Sequence, residues 1–222
     1  MPYIPNFGPV FRMWDVLLLS LRYTLLLAVL ALFFGCLIGL FVALLRISKI
    51  PVLSIPAGFY INFFRGIPQM VYLVWLYFGI AMATGIDFEP VVAASMCLST
   101  QYGGYLAEIF RSGIEAIGKG QREAAVAMGL TAAQNYRYII LPQAIRIVLP
   151  PIGNMWVGAI KDSSLVSYLG VMELMRTAML QANITWRPFE FYTATALIYV
   201  FLVWLSSRGV SALESRLKYD SV

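Results

Sequence analysis

Side chains that exchange protons, hold metals or attack carbonyls are scarce in this chain. Histidine is absent from its 222 residues. That removes His-activated nucleophiles, the paired-His zinc site and the imidazole proton switch. The two cysteines, Cys36 and Cys97, each sit inside an apolar run, where a thiol serves as a small hydrophobe rather than a disulfide or metal partner. Glu108 and Asp162 fall near the ends of apolar runs and form no spaced catalytic pair. Gly113 to Gly120 resembles a phosphate loop, but Gly120 stands where a Ser or Thr must hold magnesium. The segment also follows an apolar run, not the strand that loop requires. No catalytic set and no metal-ligating set is read, and the chain is not expected to hydrolyse ATP.

The remaining polar candidates lie in or beside apolar stretches. Asn154 follows Pro150, Pro151 and Gly153, where proline removes backbone hydrogen bonds. A polar group inside a membrane span is functional by default; the alternative is a hydrogen bond between helices. Lys161, Asp162, Ser163 and Ser164 come at the end of the same run. They form either a gate or a local ion pair with a helix cap.

The elements that position these residues follow from composition. Hydrophobic residues make up 60% and charged residues 12% of the chain, with a mean hydropathy of +0.78. Soluble domains average about 45–50% apolar and 25% charged, so the chain belongs in a lipid bilayer. One spanning helix needs about 20 apolar residues. Five windows are predicted, at about 16–46, 57–83, 90–110, 138–160 and 190–208 of a single all-α transmembrane domain. In the first, Ala31, Gly35, Gly39 and Ala43 recur every fourth residue and predict close approach of another helix. Pro51 and Pro56 are expected to make a short turn. Arg65-Gly66-Ile67-Pro68 interrupts the second run, with Arg65 either snorkelling to the interface or pointing inward. The fourth run, with Pro142, Pro150 and Pro151, is expected to be kinked or broken and to line a cavity. Residues 161–188 are expected to carry short helices outside the membrane or at its interface. The proline-rich N-terminus has no basic cluster before the first apolar run, which argues against a cleaved signal peptide.

Basic residues orient the spans. One side collects Arg46, Lys49, Arg111, Lys119, Arg122, Arg137, Arg208, Arg216 and Lys218; the other holds Arg12, Lys161, Arg176 and Arg187. The positive-inside rule places the N-terminus outside and the C-terminus in the cytoplasm. The net charge of +5 is thereby assigned to cytoplasmic loops, with no nucleic-acid partner. Residues 111–137 become a cytoplasmic loop. Within it, alanine-rich Arg122–Ala127 predicts a short helix with a low, smooth surface. Gly129 suits its C-terminus, and Thr131 can cap a second helix towards Gln134.

Glu123-Ala124-Ala125, Gly129, Ile139 and Leu141-Pro142 match the EAA signature of ABC importer permeases at every spacing. Further stretches resemble the polar amino-acid (histidine/glutamine/arginine) branch of that family. These are Arg65-Gly66-Ile67-Pro68, Tyr105 to Arg111, Gly118 to Gln121, Leu141 to Ala144, Leu149-Pro150-Pro151 and Lys161 to Leu165. The resemblance implies a type I importer permease fold of about five helices. It also implies a second permease copy or paralogue, two cytoplasmic ATP-binding subunits that bind ATP and magnesium, and an external solute-binding protein that delivers an amino acid. This chain would bind no cofactor. Glu123, Ala124, Ala125, Gly129, Leu130 and Pro142 would form the coupling segment, and Asn154, Met155, Asp162, Ser163 and Ser164 the pathway. Many members carry an acid after the asparagine; Met155 departs from that, which weakens a cationic substrate for this subunit. The resemblance implies the bacterial cytoplasmic membrane. The competing readings are a stand-alone secondary transporter or channel and a non-transporting membrane scaffold.

Overall fold

The computed structural model describes residues 3–217; of the basic residues counted above, Lys218 lies outside them. The described residues are almost entirely helical. A one-turn α1 (Gly8–Arg12) leads into α2 (Trp14–Ile47), whose 34 residues span roughly 51 Å at 1.5 Å per residue. Next come α3 (Pro51–Gly66) and a second helical stretch of α4 (Gln69–Val74), a π-turn (Trp75–Gly79) and α5 (Ile80–Thr84). The central α6 (Pro90–Glu115) is followed by α7 (Lys119–Ala127) and α8 (Ala132–Asn135). A π-turn (Tyr136–Ile140) feeds α9 (Leu141–Asp162). A 3-10 segment (Ser163–Leu169), α10 (Leu174–Thr185) and α11 (Pro188–Leu217) complete the chain. Among the described residues, α2 and α11 are each long and apolar enough to cross a membrane, and α3 with α4–α5 makes a bent third unit.

The small-residue face of α2 does what its spacing predicts. Ala31 and Ala43 are fully buried. A Cβ on Gly35 would stand 2.9 Å from Tyr102 Cβ, and one on Gly39 would stand 2.8 Å from Leu106 Cβ and 2.9 Å from the Ala107 backbone nitrogen. Because α2 and α6 touch nearly backbone to backbone, any larger side chain at these two glycines must push the helices apart. Two more glycines let α6 take neighbours on other faces. A Cβ at Gly104 would lie 3.0 Å from Phe64 Cβ of α3, and one at Gly113 would lie 2.2 Å from Val148 Cγ1 of α9. Both cysteines are free thiols.

Three expectations about proline need correcting. Pro51 and Pro56 make no turn: Pro51 opens α3 and Pro56 lies inside it. Proline fits the first helical turn, where its missing N–H has no partner to lose. The run 57–83 is not one helix, because α3 and the 69–84 stretch meet at a bend of 104°. Pro68 is responsible: it holds Ile67 extended (ψ 133°) and itself sits extended (ψ 129°). The fourth run is not broken. Leu141–Asp162 is one helix with Pro150 and Pro151 inside it. The π-turn ahead of Pro142 gives its ring room. Packing around these turns is close: a Cβ added to Gly113 would lie 2.2 Å from Val148 Cγ1, and one added to Gly153 2.6 Å from Val210 Cγ1.

Candidate functional site

The loop between α6 and α9 is a capped helix–turn–helix. Helix α7 ends in a paired carbonyl closure: the Leu130 amide donates to Ala125 O (3.1 Å) and the Gly129 amide to Val126 O (2.9 Å). That closure requires a left-handed residue after the helix, and Gly129 supplies it with φ +76°. Thr131 then starts α8 with a reciprocal cap: the Gln134 amide donates to Thr131 Oγ1 (3.3 Å) and the Thr131 amide to Gln134 Oε1 (2.9 Å). The unit is anchored beneath the bundle. Ile117, Ile140 and Ala144 form a small core with Ile114, and Gln143 Nε2 donates to Gln121 Oε1 (2.5 Å), joining α7 to α9. Arg111, at the end of α6, pairs with Glu108 (2.6 Å) and with Glu115.

The six signature residues do not share one face. Glu123, Ala124, Gly129 and Pro142 are exposed, Leu130 is half-buried, and Ala125 is fully buried. So the outward surface is not the smooth alanine face expected from composition. Val126 (66% exposed) and Met128 (70% exposed) project from it. Sequence reasoning passed over both, since residue type alone does not separate them from Ile117 and Ala125, which are buried in the same loop.

The pathway candidates separate in the same way. Asn154 is exposed on α9 and Met155 half-buried. Asp162 accepts a hydrogen bond from Tyr102 Oη (2.8 Å), tying the C-terminal end of α9 to the middle of α6. Ser163 is buried and donates to Ile160 O (2.8 Å), and Ser164 donates to Lys161 O (2.7 Å). Both hydroxyls thus satisfy their own helix end. Beyond them, Glu173 is completely buried and caps α10, accepting from the amides of Met175 (2.7 Å) and Arg176 (2.6 Å) and from Tyr199 Oη (3.1 Å). Thr24 Oγ1 of α2 accepts from the Leu174 amide (3.2 Å). No sequence pattern singled out Glu173.

A glycine-seamed helical bundle with a capped loop beneath it is the fold of a type I ABC importer permease. The family model for the binding-protein-dependent transport system inner membrane component matches residues 35–219, and the chain belongs to that family. The probable amino-acid ABC transporter permease protein YckA of Bacillus subtilis is 42% identical over 214 residues, 96% of this chain and 94% of that protein. The L-cystine transport system permease protein TcyL of the same organism is 36% identical over 204 residues, 89% of this chain and 85% of that protein. The crystal structure of an amino acid ABC transporter with histidines superposes with a TM-score of 0.92 at 36% identity, covering 96% of this chain and all of that one. An inward-facing MetNI methionine ABC transporter shares the fold, with a TM-score of 0.79 at 23% identity over 94% of this chain and 99% of that one.

Proposed function

We propose that this chain is the permease subunit of an ATP-driven importer of polar amino acids or close derivatives. It forms half of the translocation pathway with a second permease copy or paralogue. Two cytoplasmic subunits bind and hydrolyse ATP with magnesium, and an external binding protein delivers the substrate. The chain itself binds no cofactor and crosses the bacterial cytoplasmic membrane five times, with the N-terminus outside and the C-terminus in the cytoplasm. Residues 111–137 therefore face the ATP-binding subunits.

The observation that carries this reading is the double-capped α7–α8 unit presenting Glu123, Val126 and Met128. Both ends are fastened to long helices, so a push on it tilts α6 and α9 together as rigid bodies. Asn154 faces the pathway from α9, and Tyr102 positions Asp162 at the C-terminal end of that helix. Met155, where many relatives carry an acid, favours a neutral or anionic substrate over a cation for this subunit. Pull-down of the tagged chain from its own membranes tests the assembly: an ATP-binding subunit and a permease should accompany it. Recovery of the chain alone, active by itself, would instead support a secondary transporter. The substrate is read by a thermal-shift screen of the cognate binding protein against amino acids.

A further inference from the structure

Arg65 belongs neither to the coupling segment nor to the pathway residues. Its side chain lines a pocket of about 240 Å³ together with Arg46 at the end of α2, Gly58 and Asn62 of α3, and Glu108 and Arg111 of α6. Three guanidinium groups there face one carboxylate. Arg111 is committed to it: Nε donates to Glu108 Oε2 (3.0 Å) and Nη2 to Oε1 (2.6 Å), and Arg111 also pairs with Glu115. Among the described residues, Arg46 and Arg65 belong to no ion pair. Arg46 Nη1 donates to the Ser54 carbonyl (3.0 Å), and the Arg65 guanidinium stands 6.0 Å from the Tyr105 ring. Two cations thus line one pocket without a counter-ion, an arrangement that favours an added anion. Arg46, Asn62 and Arg65 are all exposed, so an anion from outside the chain can reach them.

The seat is built into the backbone. Gly58 is buried, and a Cβ there would lie 3.0 Å from Arg46 Nη1 and 3.1 Å from Arg46 Cζ. The glycine therefore keeps open the place on α3 where the Arg46 guanidinium rests. Next to the row of Gly58, Asn62 and Arg65, helix α3 carries an apolar stripe at four-residue steps. Ile55 (67% exposed), Phe59 (72%) and Phe63 (43%) form it, with the rings of Phe59 and Phe63 stacked at 6.0 Å. In the orientation proposed above, this end of α2 and α6 meets the cytoplasmic leaflet. Basic pockets between membrane helices on that side suit phosphate headgroups, and guanidinium groups bind phosphate through paired hydrogen bonds. The pocket is smaller than the roughly 300–1,000 Å³ that takes a drug-sized molecule. It admits a headgroup and leaves acyl chains to the stripe beside it.

We propose that this pocket binds the headgroup of an anionic phospholipid, with Arg46, Arg65 and the Asn62 amide donating to phosphate oxygens and the acyl chains lying along Ile55, Phe59 and Phe63. Glu108 does not oppose the phosphate, because Arg111 neutralises it and is held in place by it. The site involves no amino acid and no ATP, so it goes beyond the importer reading and shares with it only the orientation.

The test uses the chain purified in detergent from its own membranes, with whatever subunits accompany it. Native mass spectrometry reads the lipid retained from an equimolar mixture of dioleoylphosphatidylglycerol and dioleoylphosphatidylcholine, which share acyl chains and differ in net charge. Phosphatidylglycerol should be retained in preference, and excess inorganic phosphate should not displace it. Arg65→Gln breaks no ion pair within the chain, so its melting temperature without lipid should not fall. Its retention of phosphatidylglycerol should drop about tenfold, as expected for a lost hydrogen bond between charged groups. Gly58→Ala displaces only the flexible tip of Arg46 and should weaken retention as well. Arg208→Gln, assigned to the same side of the membrane but outside the pocket, should retain the lipid as the unaltered chain does. Equal retention of the two lipids would overturn the proposal, as would full retention by both pocket variants. An equal loss in Arg208→Gln would reduce the effect to general surface attraction and overturn it too. Displacement by inorganic phosphate would make the ligand a free phosphate and not a lipid. None of these outcomes bears on uptake, which tests the importer reading separately.

Discussion

Gly129 gives the sharpest perturbation of the proposed coupling segment, because its environment separates backbone conformation from size. Its φ of +76° is left-handed, and a Cβ there would meet nothing within 4 Å. A substitution therefore acts through the backbone, unless the partner subunit presses on the position. Left-handed geometry costs an L-residue about 1–2 kcal/mol, less for asparagine and more for β-branched side chains. Each 1.4 kcal/mol shifts the closed turn about tenfold towards open forms. Opening releases the Leu130 and Gly129 hydrogen bonds that end α7, so α7 no longer transmits force to α8 and α9. Substrate moved per ATP should therefore fall in the order Asn, Ala, Val at position 129, with basal hydrolysis preserved. The assay is parallel uptake and phosphate release by the reconstituted complex. If Gly129→Asn is as damaging as Gly129→Val, size at a contact and not backbone geometry governs the site. If all three couple normally, the segment is not the transmission.

Further perturbations probe the frame. Gly39→Ala puts a methyl within 2.9 Å of the Ala107 backbone nitrogen; it should cost about 1–3 kcal/mol of stability by overpacking, seen as a lower melting temperature in detergent. Gly209→Ala, in open space on α11, should be neutral or stabilising by about 0.5–1 kcal/mol. Tyr102→Phe strips Asp162 of its donor and should cost about 1–3 kcal/mol, with much of the loss recovered in the double variant with Asp162→Asn. Glu173→Ala removes the cap of α10 and should make residues 163–187 sensitive to limited proteolysis, whereas Glu173→Gln should protect them.

Much of this architecture was legible from residue type and spacing. The four-residue repeat of Ala31, Gly35, Gly39 and Ala43 announced the α2–α6 seam, because only small side chains let two helices touch along their backbones. Gly129 and Thr131 announced the two caps, because each satisfies backbone groups within a few residues. Proline was read poorly, because its effect depends on where a helix starts. Pro51 begins a helix, Pro150 and Pro151 lie inside a continuous one, and Pro68 makes the break. Ala125 and Val126 could not be ranked by composition; only the direction of each side chain separates the buried alanine from the exposed valine. Gln101 was visible in the third apolar run, but its partner carbonyl at Ile67 depends on a tertiary approach that no local pattern encodes. The same holds for Glu173 and Tyr199.

If the proposed function holds, this chain moves amino acids only when a partner ATPase drives it through the α7–α8 unit. Proteoliposomes test it directly, comparing the chain alone with the complex of permease, ATP-binding subunits and binding protein, with and without ATP and magnesium. Labelled amino acid should accumulate against its gradient only with the complete complex and ATP. Equilibration of the amino acid by the chain alone, without ATP, would contradict it.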